Sequence, residues 1–428
     1  MLHLALVCPE VPGHLNPMTT LGRELQRRGH RVTLVARPDA RRKAESAGLN
    51  FVPVGGEQFP EGSEKAAAAA LGRLRGLKAM RFTVELLRQG AEVLLKEGPE
   101  VARREKFDGM VVDQISAAGG TVADHAGLPH VTVCNALPLT PDLDDVPSTM
   151  KSWPFRRGPL AWARDGFGWV LLRWIGHPLI KVIADHRRAQ GLAPLKDVFG
   201  GGSALAEIAQ QPQFFDFPRP GQPENFHYTG PWHRESSPEE VPFPWEKLDG
   251  RPLIYASMGT LQNGLEHIFA AIAEACVGLD GQLVIALGNR HQDAAAVAAK
   301  LPGAPLVVAF APQLALLDKA AMIITHAGQN TALEALSRGL PMVAIPVAND
   351  QFGVASRLEW LGVAEVVQLA KLNAARLRTM VMKVLHDPAY RRKAQSCCEK
   401  LRGINGAGLA ADLVEKAIRS RLPVLRGQ

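Results

Sequence analysis

The 428-residue chain has little of what marks several common protein classes. It has five cysteines, Cys8, Cys134, Cys276, Cys397 and Cys398, with no C-x-x-C pair and no spacing of the kind that holds zinc. Cys8 and Cys134 sit inside apolar runs and read as buried thiols of a reducing compartment. No apolar run approaches membrane-spanning length, and the N-terminus lacks a basic region before its first apolar residues. Low-complexity segments and short-period repeats are absent. There is no G-x-G-x-x-G after the first strand and no Walker-type glycine loop, which removes the main support for a dinucleotide or P-loop site. Charge is mild for the length: 49 Lys and Arg against 42 Asp and Glu give a net +7. The Arg-Arg pairs are scattered without interleaved aromatics, so a nucleic-acid patch is not indicated. A weak attraction to anionic lipid is compatible with this balance.

What is present is a pattern of two α/β halves. The length favours two domains. In the first half, apolar runs predict strands at Leu2–Val7, Arg31–Ala36, Gly109–Val112 and His130–Cys134, with a loop over Pro9–Met18 leading into a helix over Thr19–Arg28. His14, Asp113 and Asn135 then fall at the carboxyl edge of one parallel sheet. Residues 60–105 read as alanine-rich helix. Leu160–Val182 carries Trp162, Phe167, Trp169 and Trp174 with interspersed Arg, and fits an amphipathic core helix pair, the lining of a greasy acceptor pocket or a membrane-surface patch. Tyr228–Asp249, rich in Pro and charge, reads as a linker. The second half supplies strands at Leu253–Ala256, Leu283–Leu287, Leu306–Val308, Met322–Thr325 and Met342–Val347, and helices over Ala374–Leu385 and Pro388–Leu422.

The densest stretch is Phe310–Gln351, which reads strand, tight turn, helix (Thr331–Arg338), strand. Ligands of such sheets sit beyond the carboxyl ends of the strands. Here that place is Gly328–Thr331, where the unpaired N–H groups of a helix start attract an anion. Gly328 lets a phosphate approach the main chain, and His326 stands beside it as a donor. Glu334, one turn after Asn330 on the same face, suits the paired hydroxyls of a ribose.

Pro312-Gln313, His326, Gly328, Asn330-Thr331, Glu334, Gly339, Pro341-Met342, Pro346 and Asp350-Gln351 occur in the order of a known signature. The stretch resembles that of family 1 UDP-glycosyltransferases, most closely the bacterial zeaxanthin-glucosyltransferase-like and macrolide-glycosyltransferase-like enzymes, and the similarity extends weakly over nearly the whole chain. The resemblance implies the GT-B fold: two Rossmann-like, doubly wound parallel-sheet α/β domains facing across a cleft. The domains would be 1–230 for the acceptor and 251–410 for the nucleotide sugar, joined by a linker at 231–250, with residues 411–428 crossing back as a helix to the first.

The resemblance also implies the roles. Gly13-His14-Leu15-Asn16-Pro17-Met18 matches the loop whose histidine is the catalytic base, with Asp113 as its carboxylate partner. Thr260, in the turn Ser257-Met258-Gly259-Thr260, His326, Gly328, Asn330 and Thr331 would hold the diphosphate. Phe310, Ala311, Gln313 and Glu334 would hold the nucleoside, and Asp350 and Gln351 the sugar. Phe310 stands where plant relatives carry Trp, and so does Gln329. Asp142-Leu143-Asp144 spells a D-x-D but lies far in sequence from the donor signature, so no metal is expected. The expected protein is a monomeric, cytoplasmic enzyme, reaching at most the inner membrane face as a peripheral protein. It would need no cofactor and would move glucose from UDP-glucose to a hydroxyl of a carotenoid, macrolide, terpenoid or polyphenol type. A UDP-sugar epimerase would need acid and base groups around the sugar in place of the His14 loop. A lipid-linked sugar transferase and a catalytically silent UDP-sugar-binding protein are the rivals that remain.

Overall fold

A computed structural model describes residues 1–72, 74, 76–140, 153–195, 202–232, 241–259, 266–290 and 292–427. Two compact units divide them: 1–140, 156–232 and 404–427 form the first, 153–155 and 241–403 the second.

The first unit is built on a seven-stranded, wholly parallel sheet. Its strands are β1 (His3–Val7), β2 (Arg31–Ala36), β3 (Asn50–Pro53), β4 (Gly109–Asp113), β5 (His130–Cys134), β6 (Glu207–Ala209) and β7 (Phe226–Tyr228). The order is β3-β2-β1-β4-β5-β6-β7. All five residues of β1 and of β4 are buried, as expected of strands covered on both faces. One face carries Leu4, Leu6, Val111 and Val131 against Met18 and Leu21 of the helix Pro12–Arg27 and Val414 of the helix Gly406–Ser420. The other carries Ala5, Val7, Met110 and Val112 against the helices Gly76–Glu105 and Pro159–Ala189. Each such buried Val, Leu or Met contributes about 1.5–3 kcal/mol relative to exposure, and Ala5 less.

The second unit holds a six-stranded parallel sheet: β8 (Leu253–Ser257), β9 (Gln282–Ala286), β10 (Leu306–Val308), β11 (Ala320–Thr325), β12 (Met342–Ala344) and β13 (Ala364–Val366). Its order is β10-β9-β8-β11-β12-β13. Both sheets therefore reverse their winding beside the first strand of the unit, between β1 and β4 and between β8 and β11. At such a switch point the loops part and leave room for a ligand.

Four expectations are corrected. The segment after β1 is not a loop to Met18, because the helix begins at Pro12 and runs to Arg27. Proline at the first helical position gives up no bond, since that N–H has no partner in any helix. Only Pro17 removes an internal bond, and the apolar face Leu15, Met18, Leu21 and Leu25 holds the helix in place. The aromatic-rich segment is not a helix pair but one 31-residue helix, Pro159–Ala189. The strand expected over Met342–Val347 ends at Ala344. The stretch expected as one helix over Pro388–Leu422 is two, Pro388–Leu401 and Gly406–Ser420, parted at Gly403, whose φ of +78° suits glycine.

The last helix belongs to the first unit. The Asn405 side chain caps it by accepting from the Gly408 N–H at 2.9 Å. Arg28 pairs with Asp412 at 2.5 Å, and the His30 Nε2 lies 2.7 Å from Glu415. Gly406 sits where a Cβ would stand 2.5 Å from the Pro231 carbonyl oxygen, so the chain must approach itself without a side chain there.

Candidate active site

Two clusters of polar groups form, one at each switch point. In the first unit β1 and β4 run side by side with Val7 opposite Val112. The chain leaving β1 turns into the helix Pro12–Arg27, whose third residue is His14, while β4 ends in Asp113. The two side chains meet, with His14 Nδ1 2.8 Å from Asp113 Oδ2. Asp113 is fully buried. Its Oδ2 also accepts from Asn135 Nδ2 at 2.6 Å, and its Oδ1 accepts from the Ile115 N–H at 2.8 Å. Asn135 lies just beyond β5, the next strand in the sheet, and is itself 2% exposed. A carboxylate is the one side chain that accepts at every one of these positions. With Asp113 accepting the hydrogen bond from Nδ1–H, the neutral ring carries its lone pair on Nε2, the atom able to accept a proton. Asn135 was seen in the sequence only as a neighbour on the sheet edge. Its role as a clamp on Asp113 needed the strand order.

In the second unit β8 and β11 lie side by side with Ser257 opposite Thr325. His326 follows β11 directly. Ala327 takes φ +63°, and Gly328 is the N-cap of the helix Gln329–Leu336. The imidazole is packed between two glycines. A Cβ on Gly259 would stand 2.8 Å from its Nε2, and one on Gly328 2.5 Å. Burial pushes the ring's pKa down to about 4, against a smaller opposing effect of its hydrogen bond with the Ser257 backbone. Burial thus favours the neutral form of the ring. The ring can donate a hydrogen bond to an anion at the helix start, where the unpaired N–H groups supply a positive field.

Asn330 and Thr331 lie in the first turn of that helix. Gln313 ties the turn together, its Nε2 donating to Glu334 Oε2 at 2.6 Å and to Thr331 Oγ1 at 3.2 Å. Burial raises the Glu334 pKa, and the Gln313 hydrogen bond and Arg338 oppose that shift. Gln329 is 5% exposed, and neither polar atom of its side chain has a partner among the described residues. Its amide is thus left to hydrogen-bond a water or a ligand beside the helix start. Phe310 follows β10 with the Arg290 guanidinium 4.3 Å from its ring centroid, and Ala311 beside it is buried. Asp350 is the N-cap of the helix Gln351–Trp360. Gln351 Oε1 accepts from the Val347 and Ala348 N–H groups at 2.9 and 3.0 Å, which fixes the loop after β12 and leaves its NH2 as the group to offer a ligand. Thr260, Asp142 and Asp144 lie outside the described residues. Among the described residues no three His, Cys, Asp or Glu side chains gather as metal ligands.

Comparison with known proteins decides the family. Aligned over 427 residues, covering 100% of this chain and 98% of the other, it is 31% identical to a zeaxanthin glucosyltransferase of Pantoea ananas. The chain is a family 1 glycosyltransferase of the GT-B fold. Residues 12–101 of this glycosyltransferase match the glycosyltransferase family 28 N-terminal domain, and residues 270–403 the erythromycin biosynthesis protein CIII-like C-terminal domain. Among solved structures its fold is shared with the calicheamicin glycosyltransferase CalG4, at a TM-score of 0.75 and 22% identity over 98% of this chain and 99% of that one. It is also shared with the glycosyltransferase VinC, solved in complex with DTDP, at a TM-score of 0.68 and 22% identity over 97% and 100%. Glycosyl transfer to natural-product acceptors is thus the activity of this enzyme's family.

Proposed function

We propose that the protein transfers glucose from UDP-glucose to a hydroxyl of a lipophilic small molecule, with inversion at the anomeric carbon and without metal or other cofactor. The observation that carries this reading is the buried Asp113 holding His14 through Nδ1 at 2.8 Å. An alcohol is too weak an acid to ionise first, so its proton moves to His14 Nε2 as its oxygen attacks the anomeric carbon. The bond from that carbon to the β-phosphate oxygen breaks in the same step, and UDP departs with the electron pair. A single displacement of this kind inverts the centre. Asp113 stabilises the imidazolium that forms. In the second unit the N–H groups at Gly328–Thr331, the Asn330 side chain and His326 would take up the leaving diphosphate. Thr260 would add a hydroxyl to that set. Glu334, positioned by Gln313, would hold the ribose hydroxyls. Phe310 and the Ala311 main chain would hold the base, and Asp350 with the Gln351 amide the sugar.

A silent UDP-sugar-binding protein would not need a base oriented in this way, and a lipid-linked sugar transferase is separated from this reading by which acceptor is glycosylated. The deciding experiment is a product screen by mass spectrometry, with UDP-glucose and dTDP-glucose offered separately against a library of lipophilic alcohols. A mass gain of one hexose with UDP-glucose, lost in His14→Ala while UDP still binds, is expected. Unchanged transfer by His14→Ala would remove the mechanism, and preference for dTDP-glucose would reassign the donor.

A further inference from the structure

The helix Pro159–Ala189 is apolar on two opposite faces, and among the described residues one is buried in its unit while the other is largely exposed. Leu172, Ile175, Leu179 and Ile183 are buried, the last two among the side chains of the helix Gly76–Glu105 and the sheet. The other stripe, Leu160, Ala163, Phe167, Val170 and Trp174, recurs at alternating spacings of three and four and is exposed. Phe167 is 65% exposed, Val170 65%, Trp174 62% and Leu160 89%. From Leu160 to Trp174 the stripe runs about 21 Å at 1.5 Å per residue. An apolar stripe of that length on a folded protein marks an interaction surface.

Charge selects the occupant. Between residues 156 and 180 stand Arg156, Arg157, Arg164 and Arg173, against one acid, Asp165, which is buried beside Arg164 at 2.6 Å. The first turns of the helix Gly76–Glu105, residues 76–84, add Lys78 and Arg81 and no acid. The Arg81 guanidinium lies 5.9 Å from the Trp174 ring centroid, which brings that cationic turn to the stripe. Six cations and one carboxylate make five of the chain's seven net positive charges in these two segments.

We propose that this face docks on an anionic lipid bilayer, with the stripe at the level of the acyl-chain boundary and the cations among the headgroups. By length and composition the helix would also pass as one that crosses a membrane. Its opposite face is committed to the protein core, and it buries Arg187 against Asp124 at 2.7 Å, so it lies along the interface. A second copy of the chain is the poorer occupant, because a two-fold contact would set the same cationic patch against itself.

The test is co-sedimentation of the full chain with vesicles of phosphatidylglycerol and phosphatidylcholine, beside vesicles of phosphatidylcholine alone. Binding to the anionic vesicles, weakened by salt, is expected. Phe167→Ser, Val170→Ser and Trp174→Ser together should weaken it at least tenfold. Arg81→Gln with Arg173→Gln, both exposed, should weaken it about 25-fold, from about fivefold per cation near an anionic surface, with circular dichroism melts showing that the fold is kept. No binding to anionic vesicles, or binding that neither variant changes, overturns the proposal. So does self-association in sedimentation velocity that the serine variant abolishes, which would give the face to a second copy. None of these readouts depends on sugar transfer, so they stand or fall apart from the proposed activity.

Discussion

Asp113→Asn is the most searching perturbation, because the structure fixes what the amide must do. The carboxylate faces donors only: the His14 ring N–H and the Asn135 NH2 on Oδ2, and the Ile115 N–H on Oδ1. An amide has one oxygen and one NH2, so no orientation serves all three. If the NH2 faces His14, the ring must accept on Nδ1 and carry its proton on Nε2, where it can no longer act as base. If the oxygen faces His14, the NH2 meets the Ile115 N–H, a buried mismatch costing about 1–3 kcal/mol, and the imidazolium loses its counter-charge. Where an imidazole–carboxylate pair acts as base, this substitution costs on the order of 10³- to 10⁴-fold in turnover. That is about 4 to 5.5 kcal/mol of barrier at 1.36 kcal/mol per decade. The assay measures kcat with the best acceptor from the product screen, UDP affinity by calorimetry and the His14 tautomer by ¹⁵N NMR. Expected are a fall of at least a thousandfold in kcat, UDP affinity within about twofold, and a change of tautomer or a loss of local stability. Turnover within about tenfold of wild type, with the fold intact, would refute the reasoning.

Two further outcomes test other parts of the structure. Gly328→Ala keeps an allowed backbone, since φ is −64°, but its Cβ would stand 2.5 Å from His326 Nε2. The ring must move, and UDP affinity should fall about ten- to a hundredfold, the worth of one hydrogen bond to a charged group. Unchanged affinity in calorimetry would show that His326 does not meet the diphosphate. Glu207 on β6 is buried, with Gly202 packed so closely that a Cβ there would overlap its carboxyl. Burial pushes its pKa up to about 7, against the hydrogen bond from Thr140 and the charge of Arg219. A carboxyl raised above its ordinary 4.5 contributes stability that is present in full below about pH 4.5 and is lost as pH rises through about 7. The wild type should therefore lose up to about 3 kcal/mol relative to Glu207→Gln between pH 4.5 and 8. Thermal melts of both proteins across that range check it, and a gap independent of pH would contradict it.

Much of the architecture was legible in the residues. β2, β5 and β10 begin and end where their apolar runs do. The chemistry of Phe310–Gln351 was readable because a strand, a small-residue turn and a helix start lie consecutively in the chain, so local geometry alone brings His326, Gly328 and Thr331 together. The short strands β3, β6, β7 and β13 (NFVP, EIA, FHY and AEV) are broken by polar residues or proline and show no apolar run, unlike the equally short LVV of β10. The start of the His14 helix was hidden by Pro12 and Pro17, which mimic a loop until the buried face behind them is known.

The sequence by itself determined most of the longer strands and helices and the family they belong to, because periodicity, turn residues and motif order are properties of neighbours along the chain. Only the tertiary structure decided what depends on residues far apart in it: that β1 and β4 pair, so His14 and Asp113 meet across 99 positions; that Asn135 holds that carboxylate; that His326 is packed between two glycines; and which of two apolar faces of Pro159–Ala189 is left to the solvent. Strand order and burial set these, and neither is written in any short stretch of residues.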